Sequence, residues 1–276
     1  MNNSSKSIKV NLILIAIGFV ITVCLAALQT INCPENGTEN SSTDKVEKIE
    51  IPAKITGKQE QIIRHIGYTV SYNSDWKIPN WVAYELTKEE VEGTIPRFDA
   101  FLPDPEVPYE KSATTYDYSN SGWDRGHMAP AGDMKWSEQA MKESFYLSNI
   151  CPQNKNLNGG IWKNLEEQVR ELAAQKGKIY VICGPIVSRL PKTIGSNKVA
   201  VPDAFFKTLL QNDNENWYAI AFMFANESGR KPLSTYAMSV EDMQIITDID
   251  FFPALTDSIE EKVESQVDFT KWNINR

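Results

Sequence analysis

The sequence predicts an α+β fold, a mainly antiparallel central sheet flanked by helices. Three observations predict it. Short β-rich runs are joined by hairpin-type turns, as in Phe205–Leu210, the polar turn 212–216 and Trp217–Phe224. One long amphipathic helix stands apart from them. Helices and strands occur in separate blocks, without the regular alternation of a parallel βαβ chain.

The elements follow in order. Tyr68–Tyr72 alternates and reads as a strand, and Trp81–Leu86 as the next, with Asn73–Asp75 and Ile78–Asn80 supplying turn signals between them. Residues 88–122 are rich in Pro, Asp, Gly and Ser, and hold more acidic than basic side chains, so they read as a long loop of functional interest. Ser137 is placed to cap a short helix to about Ser144, and Phe145–Ser148 reads as a short strand. A helix is expected from about Gly159 to Lys176. Trp162, Leu165, Val169 and Leu172 form its apolar stripe, and Gly177 stops it. Ile179–Cys183 is a short apolar run suited to a central strand, and Ser239 opens a helix to about Ile246.

The first 33 residues read differently. Lys6 and Lys9 precede an uncharged run of 17 residues, Leu12–Leu28. A basic flank and an apolar stretch at the extreme N-terminus form an export signal. Its length is at the short edge of the roughly 17–25 residues that span a bilayer. Cleavage near Ala26–Ala27 and retention as a membrane anchor both fit. The expected location is therefore exported: periplasmic, secreted or membrane-anchored. Residues 34–54 form a polar linker, and residues 55–276 the one folded domain. Cys33, Cys151 and Cys183 would leave an odd thiol in an exported chain, and no CxxC pair suggests zinc. Cys151 and Cys183 read as small buried residues, with a disulfide between them as the alternative. The formal net charge of −8 excludes a protein that coats nucleic acid electrostatically, but not an enzyme with a local basic cleft and a metal ion.

The densest chemistry lies in Asp124-Arg125-Gly126-His127, where an acid, a cation and an imidazole share four positions. His127 is one of two histidines; the other, His65, reads as structural. Thirty residues on come Leu157-Asn158-Gly159-Gly160-Ile161-Trp162 and Asn164-Leu165-Glu166. A neutral imidazole near its ordinary pKa suits proton abstraction from water. An ion of the Mg²⁺ class prefers oxygen ligands and keeps several waters, so one amide oxygen can hold it. On that logic His127 is the general base and Asn158 the metal ligand, near the N-cap of the Gly159–Lys176 helix where the dipole also favours phosphate. Glu166, eight residues and roughly 12 Å along a helix from Asn158, would reach the ion through a water. Asp124 reads as a structural partner, and Arg125 could pair with Asp124 or Asp133.

These segments resemble the DNA/RNA non-specific endonuclease family, whose members carry an endonuclease G-like ββα-metal (His-Me finger) site. The likeness extends from about Ile63 to Leu255 and includes Trp81–Tyr84, Val201–Phe205 and Asp250–Pro253. It implies the same roles for His127, Asn158 and Glu166. It further implies that Arg125 and Arg97 hold phosphate and assist catalysis, and that Asn149, in Tyr-Leu-Ser-Asn, lies beside the site among the substrate-binding residues. The implied activity is hydrolysis of DNA and RNA with little sequence or sugar specificity. It depends on Mg²⁺, for which Mn²⁺ or another divalent ion substitutes. Two other readings stand beside it: a phosphodiesterase restricted to small nucleotides, favoured by the acidic 88–122 loop, and a non-catalytic nucleic-acid-binding module. The retention of His127, Asn158 and Glu166 together argues against the last.

Overall fold

Alternating apolar residues on four long strands build a sheet with two buried faces. In the computed structural model the described residues are 48–213, 216–272 and 274. The run Leu12–Leu28 and the residues Cys24 and Cys33 lie outside them. No helix among the described residues is long and apolar enough to cross a membrane.

The main sheet has seven strands: β1 (Gln61–Arg64), β2 (Thr69–Asn73), β3 (Ile78–Thr87), β6 (Lys178–Ile186), β9 (Ala204–Asn212), β10 (Trp217–Ala225) and β11 (Ala237–Met238). They lie in the order β1-β2-β3-β6-β9-β10-β11, and every neighbouring pair is antiparallel. β4 (Asp124–His127) and β5 (Ile150–Gln153) form a separate two-stranded hairpin, and β7 (Thr193–Ile194) and β8 (Val199–Ala200) another. The strand expected at 68–72 is shifted by one residue, and the one at 81–86 is longer at both ends. Residues 145–148 are a turn leading into a 3-10 helix, Leu147–Asn149, instead of a strand. The segment 88–122 is not a bare loop. It contains α1 (Lys88–Val91), closed by a Thr87/Glu90 capping box, and α2 (Thr115–Tyr118).

One sheet face carries Val82, Tyr84, Val181, Phe205, Leu209 and Phe222. It packs under the long helix α5 (Ile161–Lys176), whose Trp162, Leu165, Val169 and Leu172 are buried. Gly177 ends α5 at φ 88°, the left-handed conformation glycine adopts at low cost. The opposite face carries Trp81, Ala83, Ile182, Phe206 and Leu210 under α6 (Val240–Thr247) and α7 (Asp257–Glu264). Two further short helices complete the chain order: α3 (Glu138–Glu143), capped by Ser137, and α4 (Lys155–Asn158). Neighbouring strand residues thus serve two cores, as strand geometry requires.

Asp250, Glu260 and Glu264 converge between α7 and the strand-side loop, their ligand atoms all within 4.8 Å of one another. Burial, then Glu260 and Asp250, push the Glu264 carboxyl from 4.5 to about 7. Because the folded value is raised, the folded state holds this proton more tightly. The associated stability is present below about pH 4.5 and is lost as pH rises through about 7. Glu264→Gln is therefore expected to flatten the fall in melting temperature across that range, and to melt higher than the parent above pH 7. Thermal melts in a pH series check this, and an unaltered slope would contradict it.

Candidate active site

The β4–β5 hairpin and α5 form a ββα unit. β4 and β5 pair antiparallel, with Asp124 opposite Gln153 and His127 opposite Ile150. The end of β4 is fixed by Asn149. Its amide oxygen accepts from Ala129 N–H at 2.8 Å, its amide nitrogen donates to the carbonyls of Ala129 and Ser144, and its backbone oxygen accepts from Met128 N–H. Asn149 is fully buried, and both ends of its side chain are committed to backbone. Its place is in the scaffold that holds His127, where the resemblance implies contact with substrate.

His127 lies between two aromatic rings. Phe145 meets it edge-on with centroids 4.8 Å apart, and Phe101 is tilted at 5.4 Å. Its Nε2 is buried without a hydrogen-bond partner. Burial, and after it the charge of Arg97, push the imidazole down from 6.5 to about 3, so the ring is neutral. Both predicted arginines are here. The guanidinium of Arg97 lies 4.8 Å over the Phe145 ring, and that of Arg125 lies 5.0 Å over Phe101. Arg97 also reaches Asp99 at 3.4 Å. Arg125 pairs with neither aspartate considered for it, and its Nε is buried without a partner. Asp124 is taken by Asn158, and Asp133 by Arg170 at 2.8 Å and the Tyr84 hydroxyl at 2.8 Å. The 88–122 segment thus brings a cation and an aromatic wall to the histidine, through backbone bonds of Leu102 with Phe145 and Leu147.

Asn158 is not at the N-cap of the long helix. It ends α4, which is capped by Asn154 through bonds from Asn156 N–H and Leu157 N–H. Gly159 and Gly160 follow, and α5 starts at Ile161 with Gly160 as its N-cap. A Cβ on Gly160 would fall 2.2 Å from the Asn156 carbonyl oxygen, so the chain can turn this tightly only with glycine. The break removes both the cap-position argument and the 12 Å axial spacing expected of an unbroken helix. Instead the Asn158 amide nitrogen donates to Asp124 Oδ2 at 3.1 Å. That bond turns the amide about a fixed direction and leaves its oxygen to act as a ligand.

Glu166 is half-buried on the first turns of α5. Burial is the main cause that pushes its carboxyl up to about 7, against the pull of Lys207. Lys207 escaped the sequence reading. It is 1% exposed, and its ammonium lies 4.6 Å over the Trp162 ring. Its signal was a lone cation inside the apolar strand Phe205–Leu210. Arg170, one turn beyond Glu166, was legible only as a residue of the polar helix face. Hard oxygen donors on Asn158 and Glu166 fit a Mg²⁺-class ion, and among the described residues no cysteine competes: Cys151 and Cys183 are free and buried, Cys183 donating to the Met128 carbonyl. His65 lies away from this group, buried and bonded through Nε2 to Asp104 at 2.9 Å.

The aromatic pair sets the state of His127. Phe101→Ala is expected to admit water and to move the imidazole pKa up from about 3 towards 6.5. Titration of the ring by NMR checks it, and a value still below about 4 in the folded variant would contradict it.

Comparison with known proteins places this geometry. Residues 46–258 match the family model for DNA/RNA non-specific endonuclease. The chain is 35% identical over 253 residues to a protein named Nuclease EXOG, mitochondrial, from Xenopus laevis, covering 84% of this chain and 69% of that one. The Mus musculus protein of the same name is 36% identical over 211 residues, and the match spans only 57% of its length and 70% of this chain. A crystal structure of the EndoG/EndoGI complex superposes with a TM-score of 0.68 at 28% identity, covering 72% of this chain and 89% of the matched one. By that family-model match and these relatives, the chain with this ββα unit, imidazole and oriented amide belongs to the DNA/RNA non-specific endonuclease family.

Proposed function

We propose that this member of a nuclease family is a divalent-ion-dependent endonuclease. It hydrolyses phosphodiester bonds in both DNA and RNA, with little preference for sequence or sugar. The observation that carries the proposal is the His127 imidazole: neutral, walled by Phe101 and Phe145, with Nε2 free of any partner and Arg97 and Arg125 on the flanking rings.

His127 draws a proton from the attacking water. A base pushed down to about 3 is unprotonated at any working pH but weak. A phosphate anion beside it favours the charged form, so substrate raises its basicity where it is needed. Arg97 and Arg125 hold the non-bridging oxygens and spread the charge that develops on them. Asn158 would hold an ion directly, and Glu166 through a water. When bound, such an ion supplies charge neutralisation at phosphorus and help for the leaving oxygen. Mg²⁺ is the proposed ion, with Mn²⁺ as a substitute. Asp124 keeps the Asn158 oxygen aimed, and Lys207 opposes protonation of Glu166. The Lys6, Lys9 and Leu12–Leu28 segment supports export, with or without anchoring.

Degradation of supercoiled plasmid and of RNA, with Mg²⁺ and with EDTA, tests the reading. Both polymers are expected to be cut, EDTA to stop the reaction, and His127→Ala to lose about 10²–10⁴-fold in rate. Cleavage of small phosphodiesters alone would replace it by the small-nucleotide reading. Binding of nucleic acid without any cleavage would replace it by a non-catalytic module. Asp124→Ala releases the Asn158 amide, and is expected to raise the ion concentration for half-maximal rate by about 10–100-fold.

A further inference from the structure

A cavity beside the start of α5 is left unused by this reading. It has a volume of about 370 Å³, and its lining includes Leu157, Phe224, Glu227, Arg230, Lys231 and Tyr236. One wall is Leu157, the residue before Asn158 on α4, so the cavity lies against the turn that carries that amide. The other is the segment that follows β10. That segment lies directly on the catalytic helix: a Cβ on Gly229 would fall 3.1 Å from Ile161 Cγ2, the first residue of α5, and 2.8 Å from Tyr236 Oη. Lys231 N–H donates to Tyr236 Oη at 3.4 Å, and the Tyr236 ring rests on Phe224 with centroids 4.7 Å apart.

The lining chemistry selects an anion with a flat apolar part. Arg230 and Lys231 are exposed, and among the described residues neither is in an ion pair. Against the single carboxylate of Glu227 they leave the cavity net positive, on a chain of net charge −8. Such a local excess of cations beside a phosphoryl-handling centre concentrates anions there against the general field. Half-buried Tyr236 supplies a ring edge and face of the kind on which bases stack, while the two cations suit phosphate oxygens. The volume lies within the range of small-molecule sites, enough for one nucleotide unit.

We propose that this cavity is the subsite for the nucleotide next to the scissile phosphodiester, with Arg230 and Lys231 on its phosphate and Tyr236 against its base. The proposal rests on the nuclease reading above and adds to it a strand-holding surface on the Asn158 side of the centre. It gives an acidic chain a place to hold polymer without a basic face.

Steady-state cleavage of a labelled single-stranded 12-mer by the full chain in Mg²⁺, across a salt series, tests it. Arg230→Ala with Lys231→Ala is expected to raise KM about 10-fold while kcat stays within about twofold. The slope of log(kcat/KM) against log[salt] should become shallower by about 1.4, the share of two phosphate contacts on a single strand. Arg230→Lys is expected to recover most of the salt slope. An unchanged KM and slope, in a parent enzyme that cuts the 12-mer, would overturn the subsite and leave the nuclease reading standing. A fall in kcat with KM unmoved would also overturn it, since that signals a disturbed Asn158 turn. A parent that cuts no nucleic acid overturns the nuclease reading itself. Anisotropy of the same oligonucleotide with His127→Ala then decides the subsite separately: equal binding with and without the two substitutions overturns it, and weaker binding with a shallower salt slope upholds it.

Discussion

The buried carboxylate of Asp133 is the tie on which the arrangement of this site depends. It is 1% exposed, and accepts from the Tyr84 hydroxyl on β3 and from Arg170 on α5. Three bodies therefore meet at one group: the sheet, the active-site helix and the segment that follows β4. A buried charge of this kind is tolerated only while each lone pair is answered, and removing one partner commonly costs 3–5 kcal/mol. The angle of α5 over the sheet and the distance of the hairpin from the helix are thus set together. Packing of Trp162, Leu165 and Val169 alone would allow α5 to slide along the sheet, since apolar contact is not directional.

On that frame the site divides its labour between a dry half and a polar half. His127 is held by Phe101 and Phe145, not by a carboxylate, so its position comes from shape. Asn158 is held by the hydrogen bond it donates to the Asp124 carboxylate, so its position comes from direction. Cations stand on both halves: Arg97 and Arg125 over the rings, Lys207 and Arg170 around Glu166.

Much of this was legible in the sequence. The long strands announce themselves as near-continuous apolar, β-rich runs because both sheet faces are buried, and α5 by the period-3.6 stripe of a helix buried on one face. His127 and Asn158 stand out because their residue types and order carry chemistry. What was hidden depends on contacts distant in sequence. Asp124–His127 has no β-rich composition, and becomes a strand only because Asn149 and β5 hold it. The helix expected from Gly159 breaks before Ile161, since helical spacing continues in the side chains on either side of a glycine pair and conceals a turn in the backbone. Lys207 acquires meaning only when β9 lies under α5. Phe101 acquires it only when its loop folds back on Phe145.

The glycine pair at 159–160 has a consequence for how this enzyme family can vary. It joins two rigid pieces: a capped single turn that bears Asn158, and a sixteen-residue rod anchored to the sheet. A side chain at 160 would collide with the Asn156 carbonyl, and the yielding part would be the small piece, because the rod is held by the bond of Arg170 to Asp133 together with its buried stripe. The joint therefore acts as a setting screw. A residue without any reactive group decides where an amide oxygen points, and damage there would turn that oxygen while leaving the fold and the histidine intact.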